Sequence, residues 1–352
     1  MEDLPVLDFE IQSHSGAYQV TFNNELIGSE TINSLGTHYL IDRNVFPLLG
    51  ESFYTAMAGK DVILIDATED TKSYRGVEPI IQQLIEKKLK RDSVLVAIGG
   101  GITQDITCFI ATTFMRGIKW VFVPTTLLAQ ADSCIGSKSS INFGGAKNIL
   151  GSFTPPNHVI ISEQFLTSLD EKDIKSGIGE IIKLYIVNGQ KVDSERIRND
   201  LTKHLYATLQ IKKRFIEEDE FDKGIRNILN YGHCFGHAIE AATHFAIPHG
   251  IAVTIGMDVA NRFAYLEKLI TQEQFTEMRF ALYANYLDYI KTPIRINDVF
   301  AALTKDKKNT GSKINLILPV GNALEKRGFE NNNAFWDQAR LALLQTPITV
   351  QS

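Results

Sequence analysis

The chain has 352 residues, enough for two domains that each have a core. It is 44% hydrophobic and 22% charged, like an ordinary folded protein, and its net charge of −5 argues against a nucleic-acid or polyanion binder while allowing a local basic site. Three cysteines without a CxxC pair argue against a disulfide framework or zinc ribbon; with an acidic N-terminus and no apolar run near the ~18 residues of a membrane span, they point to a cytoplasmic protein.

Short strand-like runs open the chain at Tyr18–Phe22, His38–Asp42 and Val62–Asp66. A helix is expected from Val77 to Leu89. Ile80, Ile81, Leu84 and Ile85 recur there as on an inner helical face, and lysines close it where they suit the dipole. Ser93–Ile98 is a continuous apolar run, which reads as a parallel strand buried on both faces. Gly99, Gly100 and Gly101 follow, then a helix to about Phe114 and strands at Trp120–Val123 and Val159–Ile161. Strands alternating with helices define an α/β domain with a mostly parallel sheet. Beyond Leu169 helical periodicity dominates from Lys172 to Leu303, and the one later strand candidate is Lys313–Pro319. The expected organisation is an α/β N-terminal domain at 1–170 and a mainly α-helical C-terminal domain at 171–352, with the cleft between them as the default site.

Strand, glycines and helix in that order let a backbone approach a pyrophosphate and aim helix amides at it. Asp105 lies one turn into that helix. Thr125 and Thr126 follow a strand's carboxyl end, and Glu69 and Lys72 follow another, where ligands of open α/β sheets bind. Asp132–Lys138 and Gly145–Asn148 place Lys138, Lys147 and Asn148 in a Gly/Ser-rich loop; if that loop is buried, such groups need a partner, and phosphate is a natural one.

The polar face with the strongest pattern lies in Gly224–Glu240, which reads as one helix. Arg226, Asn230, His233 and His237 fall at i, i+4, i+7 and i+11, and Gly232 and Gly236 beside them imply close approach by a ligand or another backbone. Glu180 and Lys183 share a helix face at i, i+3, and His249 follows Pro248 at the start of another helix. Glu180, His233 and His249 together give two nitrogens and one oxygen, the ligand count of a catalytic zinc site. The histidines are 16 apart, so this set depends on the fold. Lys212 and Asp306–Lys308 add cations suited to an anionic substrate.

With these residues in hand, the chain resembles the dehydroquinate synthase family of sugar-phosphate cyclases from Glu69 to about Lys308. The resemblance is carried by Gly99–Asp105, Phe114–Gly117, Val123–Asp132, Lys147–Asn148, Gly179–Lys183 and Leu229–Glu240. It implies a Rossmann-like N-terminal domain holding NAD, a helical C-terminal domain holding a divalent metal (zinc, or cobalt in its place), and a homodimer. The implied NAD-binding positions are Asp42, Asn44, Glu69, Lys72, Gly99, Gly100, Gly101, Asp105, Thr125, Thr126, Lys147, Asn148, Phe165 and Ser168. The implied metal ligands are Glu180, His233 and His249. Asp132, Lys138, Lys183, Lys212, Arg226, Asn230, His237 and Lys307 match the substrate and catalytic set, and Arg116 matches an arginine donated across the dimer.

The implied activity is that of a phosphate-eliminating carbon–oxygen lyase of the shikimate pathway to aromatic amino acids. It comprises transient oxidation by NAD, loss of phosphate, reduction and intramolecular aldol closure. Arg226, Asn230, His233 and His237 as a full set favour 3-deoxy-D-arabino-heptulosonate 7-phosphate as substrate and 3-dehydroquinate as product. The alternatives are cyclases of the 2-epi-5-epi-valiolone or 2-deoxy-scyllo-inosose type, or a metal-dependent alcohol dehydrogenase. Ile251, the 135–142 segment and Leu184–Gly189 depart from the family's usual pattern.

Overall fold

The computed structural model describes residues 7–23, 31, 34–305 and 312–351. The chain forms two compact units. One ends at Asp170 and also includes Ile216–Phe221; the other runs from Glu171 to Phe215 and onward from Asp222.

The first unit is built on a seven-stranded sheet. Its strands are β1 (Phe9–Ile11), β2 (Tyr18–Phe22), β3 (His38–Asp42), β4 (Asp61–Ile65), β5 (Val94–Gly99), β6 (Lys119–Pro124) and β9 (His158–Ile161), in the order β1-β2-β9-β6-β5-β3-β4. Every described pairing in it is parallel except β1 with β2. The continuous apolar run behaves as its composition requires: Leu95, Val96, Ala97 and Ile98 of β5 have no exposed surface. Helices α1 (Gly50–Ala56), α2 (Tyr74–Glu86) and α3 (Gly101–Thr113) belong to the same unit. Helix α2 begins three residues before the expected Val77, because the Ser73 hydroxyl accepts from Gly76 N at 3.1 Å and caps it. Parallel register aligns Gly99 with Pro124 and Ile41 with Ile98, so Asp42, Gly99 and Thr125 all leave the sheet at one carboxyl edge.

A two-stranded antiparallel hairpin, β7 (Lys138–Phe143) with β8 (Ala146–Phe153), stands apart from the sheet. The segment expected to be a Gly/Ser-rich loop is therefore partly strand. It is buried at Cys134–Ser137, whereas Lys138, Lys147 and Asn148 are exposed.

The second unit is mainly helical: α4 (Glu171–Val187), α5 (Ser194–Arg198), α6 (Leu201–Glu218), α7 (His233–Ala242), α8 (His249–Leu266), α9 (Gln272–Tyr286), α10 (Ile296–Thr304) and α11 (Asn333–Leu344). It contains more strand than expected. Strand β11 (Lys313–Val320) is joined by its hairpin partner β12 (Ala323–Glu330), and β10 (Ile294–Arg295) pairs with β13 (Val350–Gln351). β12 escaped the sequence reading because it is charged and mostly exposed, so it lacks an apolar alternation. Helix α8 is buried at every residue from Gly250 to Asn261, as an apolar all-round helix must be. Helix α4 crosses it so closely that a β-carbon on Gly250 would collide with the Ser176 carbonyl, and one on Gly179 with the Gly250 carbonyl.

Candidate metal and substrate centre

The central stretch is not one helix. Ile225–Asn230 forms a 3-10 turn, Tyr231 leaves it in an extended conformation, and Gly232 is left-handed at φ +77° before α7 starts at His233. Glycine is needed at 232 for that backbone and for space, since a β-carbon would lie 2.8 Å from the Val253 carbonyl oxygen. Arg226 and Asn230 therefore sit on the turn, and His233 and His237 on the first two turns of α7. Gly236 serves helix packing: its β-carbon would lie 2.8 Å from Val253 Cα.

Close crossings of α4, α7 and α8 bring Glu180, His233 and His249 together. Glu180 Oε1 lies 3.8 Å from His233 Nε2 and 3.6 Å from His249 Nε2. Ligand atoms sharing a tetrahedral ion with bonds of about 2.0–2.2 Å lie roughly 3.3–3.6 Å apart, close to this spacing. His233 Nδ1 is 3.2 Å from the Tyr231 carbonyl oxygen. A carbonyl only accepts, so Nδ1 carries the proton and Nε2 offers its lone pair. His249 Nδ1 lies 2.9 Å from Glu240 Oε2, which orients its ring in the same way. Burial alone would push His249 down; the hydrogen bond and charge of Glu240, with Glu180 adding to them, hold it above its ordinary value.

Glu180 has no exposed surface, and neither carboxylate oxygen is hydrogen-bonded among the described residues, although Lys183 forms an ion pair with Oε2. Oε1 is left facing the two imidazole Nε2 atoms, and a divalent cation between them would take all three as ligands. His237 lies against the same set. Its ring stacks on His249 at a centroid distance of 5.4 Å, and nitrogens of His233, His237 and His249 all lie within 4.8 Å of one another. The residues thus offer two overlapping three-ligand sets. The first, Glu180 with His233 and His249, has a buried carboxylate, and the second replaces it with the exposed His237.

Lys183, Lys212 and Arg226 are all buried in this unit. Ile251 is fully buried in α8, a core position. Lys307 lies outside the described residues.

In the first unit, Lys72 Nζ meets Asp105 Oδ2 at 2.5 Å, and Ser140 N donates to Asp105 Oδ1 at 3.2 Å. Glu69 joins them through Asn142, whose amide donates to Glu69 Oε2 at 2.8 Å and whose carbonyl oxygen accepts from Asn148 N at 2.9 Å. Lys147 Nζ lies 3.6 Å from the same Glu69 oxygen. The hairpin therefore gathers Glu69, Lys72, Asp105, Lys147 and Asn148, and Asn142 is the organiser that the sequence reading passed over. Asp42 Oδ1 accepts from Asn44 N at 2.9 Å in a tight turn at the end of β3. A β-carbon on Gly99 would strike Thr103, and one on Gly100 would lie 3.2 Å from Thr126 Cγ2, so these glycines keep the turn tight against its own helix and the next strand. Thr125 Oγ1 is buried without a hydrogen-bond partner among the described residues, and Thr126 Oγ1 accepts from Ala129 N at 3.2 Å. Ser168 Oγ donates to the Phe165 carbonyl at 3.2 Å within a 3-10 turn. Asp132 is half-buried in a π-helical turn, and Arg116 is exposed at φ +69°.

A family model described as 3-dehydroquinate synthase N-terminal matches residues 62–176, and one described as 3-dehydroquinate synthase C-terminal matches residues 177–309. A 3-dehydroquinate synthase of Alkaliphilus metalliredigens is 36% identical over 316 residues, covering 84% of this chain and 89% of that protein. A crystal structure of 2-deoxy-scyllo-inosose synthase, complexed with carbaglucose-6-phosphate, NAD+ and Co2+, shares the fold with a TM-score of 0.83 at 21% identity, over 95% of this chain and 99% of that one. The 2-epi-5-epi-valiolone synthase of Streptomyces hygroscopicus, with NAD+ and Zn2+ bound, does so with a TM-score of 0.77 at 23% identity, over 94% and 96%.

Proposed function

Because the chain belongs to the 3-dehydroquinate synthase family, it is a phosphate-eliminating cyclase that uses NAD and a divalent metal, and we propose that Glu180, His233 and His249 hold that metal. Its reaction converts 3-deoxy-D-arabino-heptulosonate 7-phosphate to 3-dehydroquinate and phosphate. The observation that carries the metal assignment is the buried Glu180 carboxylate, paired with Lys183 through Oε2, whose Oε1 faces two imidazoles with their Nε2 atoms turned towards it.

When bound, the metal supplies a Lewis acid for a substrate oxygen and NAD supplies a transient hydride acceptor. Two nitrogens and one oxygen suit zinc, and cobalt accepts the same set. Glu240 keeps the His249 ring in register with Glu180. Lys183 neutralises Glu180 and, with Lys212 and Arg226, gives the substrate's phosphate and carboxylate a desolvated cationic surface. Asn230 hydrogen-bonds the substrate, and His237, at the exposed side of the ligand set, exchanges protons with it. Asp132, Lys138 and Lys307 complete the substrate contacts. Arg116 serves the partner's site in a homodimer.

The carboxyl edge of the first unit's sheet holds NAD. Gly99, Gly100 and Gly101 admit its pyrophosphate. Asp42, Asn44, Glu69, Lys72, Asp105, Thr125, Thr126, Lys147, Asn148, Phe165 and Ser168 surround the rest. Among the described residues no helix is long and apolar enough to cross a membrane.

The test is inorganic phosphate release from the heptulosonate phosphate with NAD and zinc, and its loss in Glu180→Gln. Release from sedoheptulose 7-phosphate or glucose 6-phosphate but not from the heptulosonate would overturn the substrate assignment.

A further inference from the structure

A second cleft, of about 790 Å³, opens in the helical unit between α9, the start of α5 and the far end of α8. None of the proposed metal or substrate residues lines it. Its size is that of a small-molecule site. Two arginines border it. Arg279 Nε bonds both oxygens of the fully buried Asp258 at 3.0 Å, so its charge is matched. Arg262 has no ion pair and no hydrogen bond among the described residues, and its Nε is buried without an acceptor. Both guanidiniums stack over Phe275, with Arg262 4.0 Å and Arg279 4.6 Å from the ring centroid. Two cations against one buried carboxylate leave one positive charge on a half-buried side chain whose Nε is out of reach of water. An anion in the cleft would pair with it.

Phe280, Tyr283, Ala284 and Pro347 give the cleft an apolar wall, and Ser194, Gln272 and Thr276 add neutral polar groups. Phe280 is 77% exposed, an aromatic left open at the mouth of a cleft. Two acidic residues also border the cleft. Asp193 is committed to capping α5, where it accepts from Arg196 N at 2.9 Å, and Glu195 is exposed; neither pairs with Arg262.

We propose that this cleft binds a small organic anion that combines one carboxylate with a flat apolar ring. The carboxylate pairs with Arg262, and the ring lies against Phe280 and Tyr283. Charge complementarity selects the carboxylate, and the aromatic wall selects the ring. This site does not depend on the metal assignment or on the substrate.

The experiment is calorimetric titration of the full-length protein with 3-phenylpropanoate, its uncharged amide and inorganic phosphate. The carboxylate should bind at least tenfold more tightly than either comparison ligand. Arg262→Gln should weaken it at least tenfold and Phe280→Ser severalfold, with both variants checked by thermal melting for a native fold. Glu195→Gln, which removes a bordering negative charge, should tighten binding. Equal affinity for the amide, equal affinity for phosphate, no binding of the carboxylate, or unchanged affinity in both Arg262→Gln and Phe280→Ser would each overturn the proposal.

Discussion

At the scale of single residues, the candidate centre depends on groups that touch no substrate. Glu240 is one. It is three residues after His237 in sequence, but its partner is His249, and only the crossing of α7 and α8 brings the two together. Glu240→Gln should lower metal affinity about tenfold, the lower end of what loss of such an orienting carboxylate costs. Competition with a chelator checks this, and an unchanged affinity would dismiss the orienting role. A different carboxylate governs acid stability in the first unit. Burial alone would raise Glu220, but hydrogen bonds from the Ser13 hydroxyl (2.6 Å), the His14 amide (2.7 Å) and Ser137 outweigh it and hold the group below its ordinary value. A depressed folded value means that the unfolded chain binds its proton first. The stabilisation is therefore present above the ordinary carboxylate range and is lost as pH falls through the folded value. Glu220→Gln should flatten the fall in melting temperature between about pH 5 and pH 3. Thermal melts across that range test it, and parallel curves for the two proteins would refute it.

At the scale of elements, Gly224–Glu240 shows what periodicity conveys and what it hides. The four polar residues do recur at helical spacing, and the histidines do share a helix. The pattern could not show the break, because a left-handed glycine ends one helical segment and starts another without disturbing the count of polar positions. Gly232→Ala should destabilise the protein by about 1–3 kcal/mol from backbone strain, with a further cost from collision against α8. Denaturant titration measures this, and wild-type stability would show that α7 can start without the kink. The hairpin at 138–153 was missed for another reason. Its strands are short of alternating apolar residues, and glycines, serines and lysines in that density read as loop. β5 and β6 of the main sheet are legible because burial on both faces demands uninterrupted apolar runs, whereas the three-residue β1, with one buried position, offers no such run and is not among the expected strands.

At the scale of the whole molecule, the change from alternating strands and helices to mainly helices marks two kinds of architecture, and the sequence shows that change. It does not show which distant residues meet. Glu180, His233 and His249 were assembled by residue type and by resemblance, and their approach depends on glycine crossings that no local pattern encodes. Helix α8 carries that approach. Its interior is sealed from solvent, and its first turn is fastened because Gly250 N donates to the Ser176 hydroxyl at 2.9 Å. Amides of Ile251–Ala264 should exchange with deuterium only through global opening in the metal-free protein as in the loaded one, and more slowly when the bound ion stabilises the folded state. Mass-spectrometric exchange tests this; fast exchange in the metal-free protein alone would contradict it. His249 is thus mounted on one of the last parts of the unit to melt. Loss of the ion should leave an intact socket, and reloading should run at the speed of ion capture, with no refolding step.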